Sequence, residues 1–183
     1  MSRTGNPPRR AAILATGSFL PPTVVSNQEI IARHGHGVAA TAVHKIYGIE
    51  RRHVAEAGLA DSDLLARAGR AALERAGRRP EELSKLIVTK FLGDRLLPMT
   101  ASPTQKKLGS SLAFQALDMD GGSNAFMQAL EAAAAAIATG DDLVLVSSGG
   151  IHNRVVSRQD PRLAFVYGDG AGAVLLGLAT PER

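Results

Sequence analysis

The amino-acid sequence predicts an α/β domain in which a mixed sheet carries helices on both faces and an alanine-rich helix lies buried at its centre. Short, wholly apolar runs suited to buried strands, residues 86–89 (LIVT) and 143–147 (LVLVS), alternate with segments of helical spacing. Residues 123–139 (SNAFMQALEAAAAAIAT) can only be a helix, with unbroken alanine from 132 to 136 and few polar side chains after Asn124. A helix apolar on nearly every side belongs inside a protein. Toward the end, glycine-punctuated apolar runs replace helices, which predicts an antiparallel pair at one side of the sheet.

Residues 11–18 (AAILATGS) read as a buried strand with Pro21-Pro22 behind it. Ser26, with Glu29 three residues on, starts a helix. His34-Gly35-His36-Gly37 reads as a loop. Its two histidines lack a third ligand at metal spacing, so no metal is expected. Residues 47–52 form a turn whose arginines, Arg51 and Arg52, are expected to be solvated. Residues 61–76 have helical spacing, capped at Asp61 or Ser62 and ended by Gly77 and Pro80. Residues 91–102 form a loop and 105–108 a short helix closed by Gly109. After the strand at 143–147, Ser148-Gly149-Gly150 turns out. A strand at 164–167, a turn at 168–170 and a returning strand at 171–178 complete the reading.

A chain of 183 residues suffices for one domain with a sizeable core. The excess of basic over acidic side chains, +4, is mild and mostly arginine, and favours an acidic carrier or a phosphate-bearing ligand. There is no cysteine, hence no disulfide or thiolate nucleophile, and no tryptophan with only 4% aromatic residues, which argues against single-stranded nucleic acid. Residues 1–10 lack an apolar region of signal-peptide type, and 125–138 is too short and alanine-rich to span a bilayer. A cytoplasmic location, with no membrane partner, is expected.

The residues before the alanine-rich helix concentrate the chemistry. An apolar run ends at Asp118-Met119-Asp120; Gly121 and Gly122 follow, and Ser123 opens the helix. Backbone N–H groups left unpaired at a helix N-terminus favour negative charge and can steady a developing oxyanion. Gly122 and Asn124 flank Ser123 in that turn. Ser123 serving only as a helix cap is the competing reading.

Two familiar patterns fail. Gly121-Gly122-Ser123-Asn124-Ala125 approximates the serine-hydrolase elbow, but the acid and histidine would have to follow as Ser123, His152, Asp169, the wrong order. Gly168-Asp169-Gly170-Ala171-Gly172-Ala173 matches the weak dinucleotide pattern GxGxxA, yet a strand rather than a helix follows.

The same residues carry a family resemblance. Residues 167–174 (YGDGAGAV) resemble the FGDGAGAV signature of β-ketoacyl-acyl carrier protein synthase III, of the thiolase superfamily. Residues 13–21 with Ser26-Asn27 resemble that family's N-terminal strand and turn, 48–52 its GIxxR segment, and 117–126 the segment around its nucleophile. The resemblance implies a thiolase-like half with a mainly parallel sheet, residues 1–183 forming one domain like the family's N-terminal half. It implies an acyltransferase of fatty acid or polyketide-type biosynthesis, with no resident cofactor and a coenzyme A or acyl carrier protein thioester as substrate. It places the nucleophile at Ser123, where the family has cysteine, and lines the substrate pocket with Phe126 and Leu97, the latter reaching across a dimer interface. It brings Arg162 near the position of a coenzyme A contact, with Pro161 in the aligned place.

The family's histidine, asparagine and one oxyanion glycine lie in a C-terminal half that this chain does not match, and none of the five histidines takes their positions. A serine hydroxyl needs a general base within reach. The expectation is therefore that a second polypeptide supplies that half and the base, in a homo- or hetero-oligomer, and that the isolated chain is not a stable monomer. Because an ester is less reactive than a thioester, acyl transfer is favoured over decarboxylating condensation. A non-catalytic subunit of a thiolase-type complex is the alternative. One half of a split or cleaved protein is another, its junction at Pro181-Glu182-Arg183.

Overall fold

The computed structural model describes residues 9–109 and 114–180; the expectations for 1–8 and for the junction at 181–183 lie outside them. The first strand is β1 (Ala11–Phe19), followed by β2 (Val24–Ser26) and α1 (Asn27–His34). Ser26 caps α1 reciprocally. Its Oγ accepts from the Glu29 N–H at 3.2 Å, while Glu29 Oε2 accepts from the Ser26 N–H at 2.7 Å. A helix the sequence reading did not contain, α2 (Ala40–Tyr47), precedes β3 (Arg51–His53), which pairs antiparallel with β2. Arg52 corrects the expectation of a solvated charge. It is 5% exposed, and its guanidinium donates to Asn27 Oδ1 at 2.6 Å, Phe165 O at 2.8 Å and Val25 O at 3.1 Å. Three acceptors replace its water.

The main sheet, begun by β1, continues after α3 (Asp61–Ala76), which has the expected bounds. Its strands are β4 (Lys85–Thr89), β5 (Gln115–Asp118), β6 (Leu143–Ile151), β7 (Asp169–Leu178) and β1, in the order β1-β7-β6-β4-β5. Only β7 runs against its neighbours, so the other four strands share one direction and the sheet is mainly parallel. Side chains alternate strictly. Leu86, Val88, Leu143, Leu145 and Leu175 face α3 and α4 (Ala101–Leu108). Ile87, Val144, Val146, Val174 and Leu176 face α5 (Ala125–Thr139). Helices therefore cover both faces.

In three places the chain departs from its sequence reading. First, α5 is not enclosed. Ala125, Ala129, Ala133, Ala136 and Ile137 are buried on the sheet, whereas Met127, Gln128, Glu131, Ala135 and Ala138 on the outer side are exposed. One helix in contact with one sheet buries one stripe, whatever the polarity of its other side. Second, 148–150 is no turn: β6 runs through it, with Gly150 opposite Gly170 and Ile151 opposite Asp169. Third, 164–167 is not a strand. Pro161 and the Asp160 carboxylate, which accepts from the Arg162 N–H at 2.9 Å, start the short α6 (Pro161–Ala164), and Ala164 and Phe165 bury against Ile30 and Val43. The antiparallel pair is β6 with β7, joined through α6.

Asp118 fixes the helix expected at 105–108 and extends it back to Ala101. Its carboxylate accepts from the Thr100 N–H at 2.9 Å and the Ala101 N–H at 2.6 Å, at the start of α4. Lys90, just beyond β4, puts its ammonium 3.5 Å from Asp118 and 3.1 Å from Asp120. Burial pulls the Lys90 pKa down, but the hydrogen bond to Asp120 and the charge of Asp118 outweigh it. Lys90 thus titrates above the ordinary lysine value.

Two outcomes follow for stability. A Cβ at Gly17 on β1 would run into the backbone of α3 at Ala68 O and Ala72 N. Gly17→Ala is expected to destabilise by roughly 1–3 kcal/mol in denaturant titration, since backbone cannot step aside cheaply. For Lys90→Met, the deficit in melting temperature against the parent should hold constant up to about pH 10, the ordinary lysine range. It should then close as the pH climbs through the raised value and the parent loses the same charge. Melting curves from pH 7 to 11.5 check this.

Candidate functional site

At the carboxyl ends of β4 and β6 the sheet opens into a pocket of about 290 Å³. This is where open α/β sheets place their ligands. Strand β4 delivers Thr89, then Lys90 and Phe91; β6 delivers Ser148 and Gly149, then His152. The turn after β5 delivers Gly122 and Ser123, α5 contributes Ala125 and Phe126, and Tyr167 closes the ring ahead of β7. Thr89 Oγ1 donates to Ser148 Oγ at 2.7 Å, tying the two parallel strands at the pocket floor.

Ser123 sits in a single 3-10 turn, Gly122–Asn124, that runs directly into α5. Gly122 has φ 59°, a left-handed conformation that glycine adopts without strain and that makes this turn possible. The cap position of α5 belongs to Asn124, which makes no side-chain capping bond, so Ser123 is not the helix cap. Ser123 is exposed toward the pocket, and among the described residues its hydroxyl has no hydrogen-bond partner. The Ala125 N–H donates to Gly122 O across the 3-10 turn, and the next N–H groups of the first turn of α5 follow beside Ser123.

The expected site residues separate into two groups. Ser123, Gly122 and Phe126 come together at the pocket, while Asn124, adjacent in sequence, does not line it. Phe126 and Ser148 are shared with a second depression of about 470 Å³, whose other walls are Thr16, Gly17, Gly172, Ala173 and Val174. That depression holds no charged side chain and would suit an apolar tail. Leu97 stands away from the pocket, 75% exposed in the loop before α4. Arg162 is also remote, and its guanidinium is held by Asp160 at 2.7 Å. That ion pair raises the Arg162 pKa and lowers Asp160 to about 2.

Two residues that line the pocket were not assigned to it from sequence. Lys90 adds an ammonium held cationic by two carboxylates. His152 follows β6, its ring stacked on Tyr167 at 5.5 Å and 18° and tilted against Phe91 at 5.4 Å. Both lie just past the ends of apolar strand runs, the signal that could have marked them. Asp169, by contrast, does not orient His152: its oxygens accept from the Ala55 N–H at 2.8 Å and the Asn153 N–H at 3.0 Å. His36 serves structure, tilted against Phe165 at 5.3 Å with Nε2 2.8 Å from Arg158 O. Among the described residues no group of three His, Asp or Glu side chains is placed to hold a metal ion, and no helix is long and apolar enough to cross a membrane.

Comparison with known proteins bears on the fold. Residues 117–183 match the family model of 3-oxoacyl-[acyl-carrier-protein] synthase III. A β-ketoacyl-[acyl-carrier-protein] synthase III of Cereibacter sphaeroides is 38% identical over 171 residues, covering 91% of this chain and 51% of the relative. The crystal structure of 3-oxoacyl-(acyl carrier protein) synthase III from Pseudomonas aeruginosa superposes with a TM-score of 0.86 at 28% identity, over 96% of this chain and 54% of that one. The priming β-ketosynthase of the R1128 polyketide pathway superposes with a TM-score of 0.87 at 29% identity, over 97% and 53%. The chain therefore spans about half the length of the curated relatives it matches, and over that span it is β-ketoacyl-acyl carrier protein synthase III-like, with the thiolase-like fold of those neighbours.

Proposed function

We propose that this chain is an acyltransferase subunit, ketosynthase III-like, acting in the cytoplasm in fatty acid or polyketide-type biosynthesis. Ser123 takes an acyl group from a coenzyme A or carrier-protein thioester and passes it to an acceptor. The observation that carries the reading is the Ser123 hydroxyl, without a hydrogen-bond partner among the described residues, at the N-terminal mouth of α5 and facing a pocket. The serine oxygen attacks the thioester carbonyl, its own N–H and those of the first turn steady the oxyanion, and the C–S bond breaks to release the thiol. Phe126 and the apolar depression beside it receive the acyl chain. No resident cofactor is needed. Arg162, already neutralised by Asp160, is a poor anchor for coenzyme A, which leaves a carrier-bound donor favoured.

A second polypeptide with a thiolase-like C-terminal half would complete the molecule. Phe91 at the pocket, Leu92, Leu96, Leu97 and Met99 in the loop before α4, and Met127 on the outer side of α5 are all exposed, apolar surface that such a partner could cover. On this reading Leu97 reaches into the partner's pocket, and the partner brings the histidine and asparagine of the resemblance. It also brings the base, unless a residue of this chain serves. A non-catalytic role in such a complex is the second reading, favoured by serine in place of cysteine.

Incubation of the assembled protein with an acetyl carrier-protein thioester, and in parallel with acetyl-coenzyme A, should yield a mass increase on the peptide bearing Ser123, and Ser123→Ala should abolish it while native mass spectrometry shows assembly unchanged. Equal acyl transfer by Ser123→Ala would instead establish the non-catalytic reading.

A further inference from the structure

We infer that His152 of this chain is the proton acceptor that activates Ser123, so the first half of the reaction is contained in the chain itself. The inference rests on the acyl-serine reading and alters one part of it, the source of the base.

Among the residues lining the pocket, Lys90, His152 and Tyr167 carry titratable groups. Lys90 cannot accept a proton near neutrality: Asp118 and Asp120 hold it cationic and raise its pKa. A phenol is a poor acceptor at that pH. An imidazole is the side chain suited to the task. The His152 ring is held between Phe91 and Tyr167, and among the described residues neither ring nitrogen is committed to a hydrogen bond. Behind it, the Asp169 carboxylate fixes the Asn153 N–H and the Arg154 guanidinium donates to Leu59 O, so the turn carrying the histidine is anchored on both sides. The charged or titratable groups facing the ring are therefore Lys90 and Tyr167 from neighbouring segments, with Asp169 and Arg154 at the base of its own turn.

The chemistry balances. The Ser123 O–H proton passes to an imidazole nitrogen as the O–C bond forms. The C–S bond then breaks, and the departing thiolate recovers that proton from the imidazolium. Thioester and serine become acyl-serine and thiol. Lys90 stays protonated throughout and adds a positive field at the developing oxyanion.

A fluorophosphonate probe tests this independently of any thioester, because an activated serine forms the O–P bond and expels fluoride whichever acyl donor is natural. The full chain should be labelled at Ser123, with a rate that falls in acid, as general-base activation requires. His152→Gln should label about 10²–10⁴-fold more slowly and lose that pH profile. His152→Ala should recover rate with added imidazole, a rescue that a merely structural role would not show. Melting curves of both variants identify loss through unfolding, and if one does not fold the other decides. Equal labelling by parent and His152→Gln, or no labelling of the parent, overturns the inference. Labelling that depends on His152 without any acyl adduct from acetyl-coenzyme A or an acetyl carrier-protein thioester would leave the base in place and remove the acyl-transfer reading.

Discussion

A sheet whose central strands carry apolar side chains on both faces must be covered twice, and that requirement organises this molecule. Strands β4 and β6 alternate Leu86, Val88, Leu143 and Leu145 toward α3 with Ile87, Val144 and Val146 toward α5. Each such side chain removed from water is worth about 1.5–3 kcal/mol, far more than any single polar contact at the site. The second face can be sealed only if α5 crosses it, and the crossing fixes where α5 begins. Its first turn lands at the carboxyl ends of β4 and β6, beside Thr89, Ser148 and Gly149. The location of Ser123 is thus a by-product of hydrophobic covering. The glycine-rich turn at 121–122 lets the chain reverse tightly enough to put a side chain there.

The site then combines groups that would be unremarkable separately. Amide hydrogens at a helix mouth favour an anion but cannot ionise a hydroxyl, since a serine hydroxyl ionises so far above neutral pH that a helix terminus cannot supply the difference. A cysteine at the same place would be served well by that field alone. Serine shifts the requirement from charge stabilisation to proton removal, the role we infer for the aromatic-bracketed histidine at the end of β6. The sequence order Ser123, His152, Asp169 excludes a hydrolase triad, and the structure agrees in that Asp169 spends both oxygens on backbone N–H groups. It does not exclude a pair.

What could be read from the sequence follows the strength of each physical signal. The helix at 61–76 was legible because its apolar period is regular and glycine ends it, and the strands at 86–89 and 143–147 because unbroken β-branched and leucine runs have few other uses. Residues 148–150 misled because Ser-Gly-Gly ordinarily marks a turn. Here the missing side chains let β6 pass close to β7, where a Cβ on Gly149 would meet Gly170 O. Arg52 misled because local sequence carries no record of Asn27 and Phe165, distant acceptors that make its burial tolerable. Alanine content predicted a helix correctly and its enclosure wrongly, since composition reports what a surface could tolerate and not what lies against it. Ser123, Gly122 and Phe126 were found through a local pattern. Lys90 and His152 were missed because convergence of strand ends is a property of topology.

The outward alanines of α5 have one more consequence. A methyl group offers little area to grip but also little to obstruct, so any surface lying on Ala135 and Ala138 can come almost to main-chain distance. That stripe behaves as a gauge of shape, rejecting bulk and rewarding a smooth counterpart, while contributing little adhesion. Grip would have to come from the larger side chains at its margins, Met127 above all, so fit and strength are assigned to different residues and can change independently.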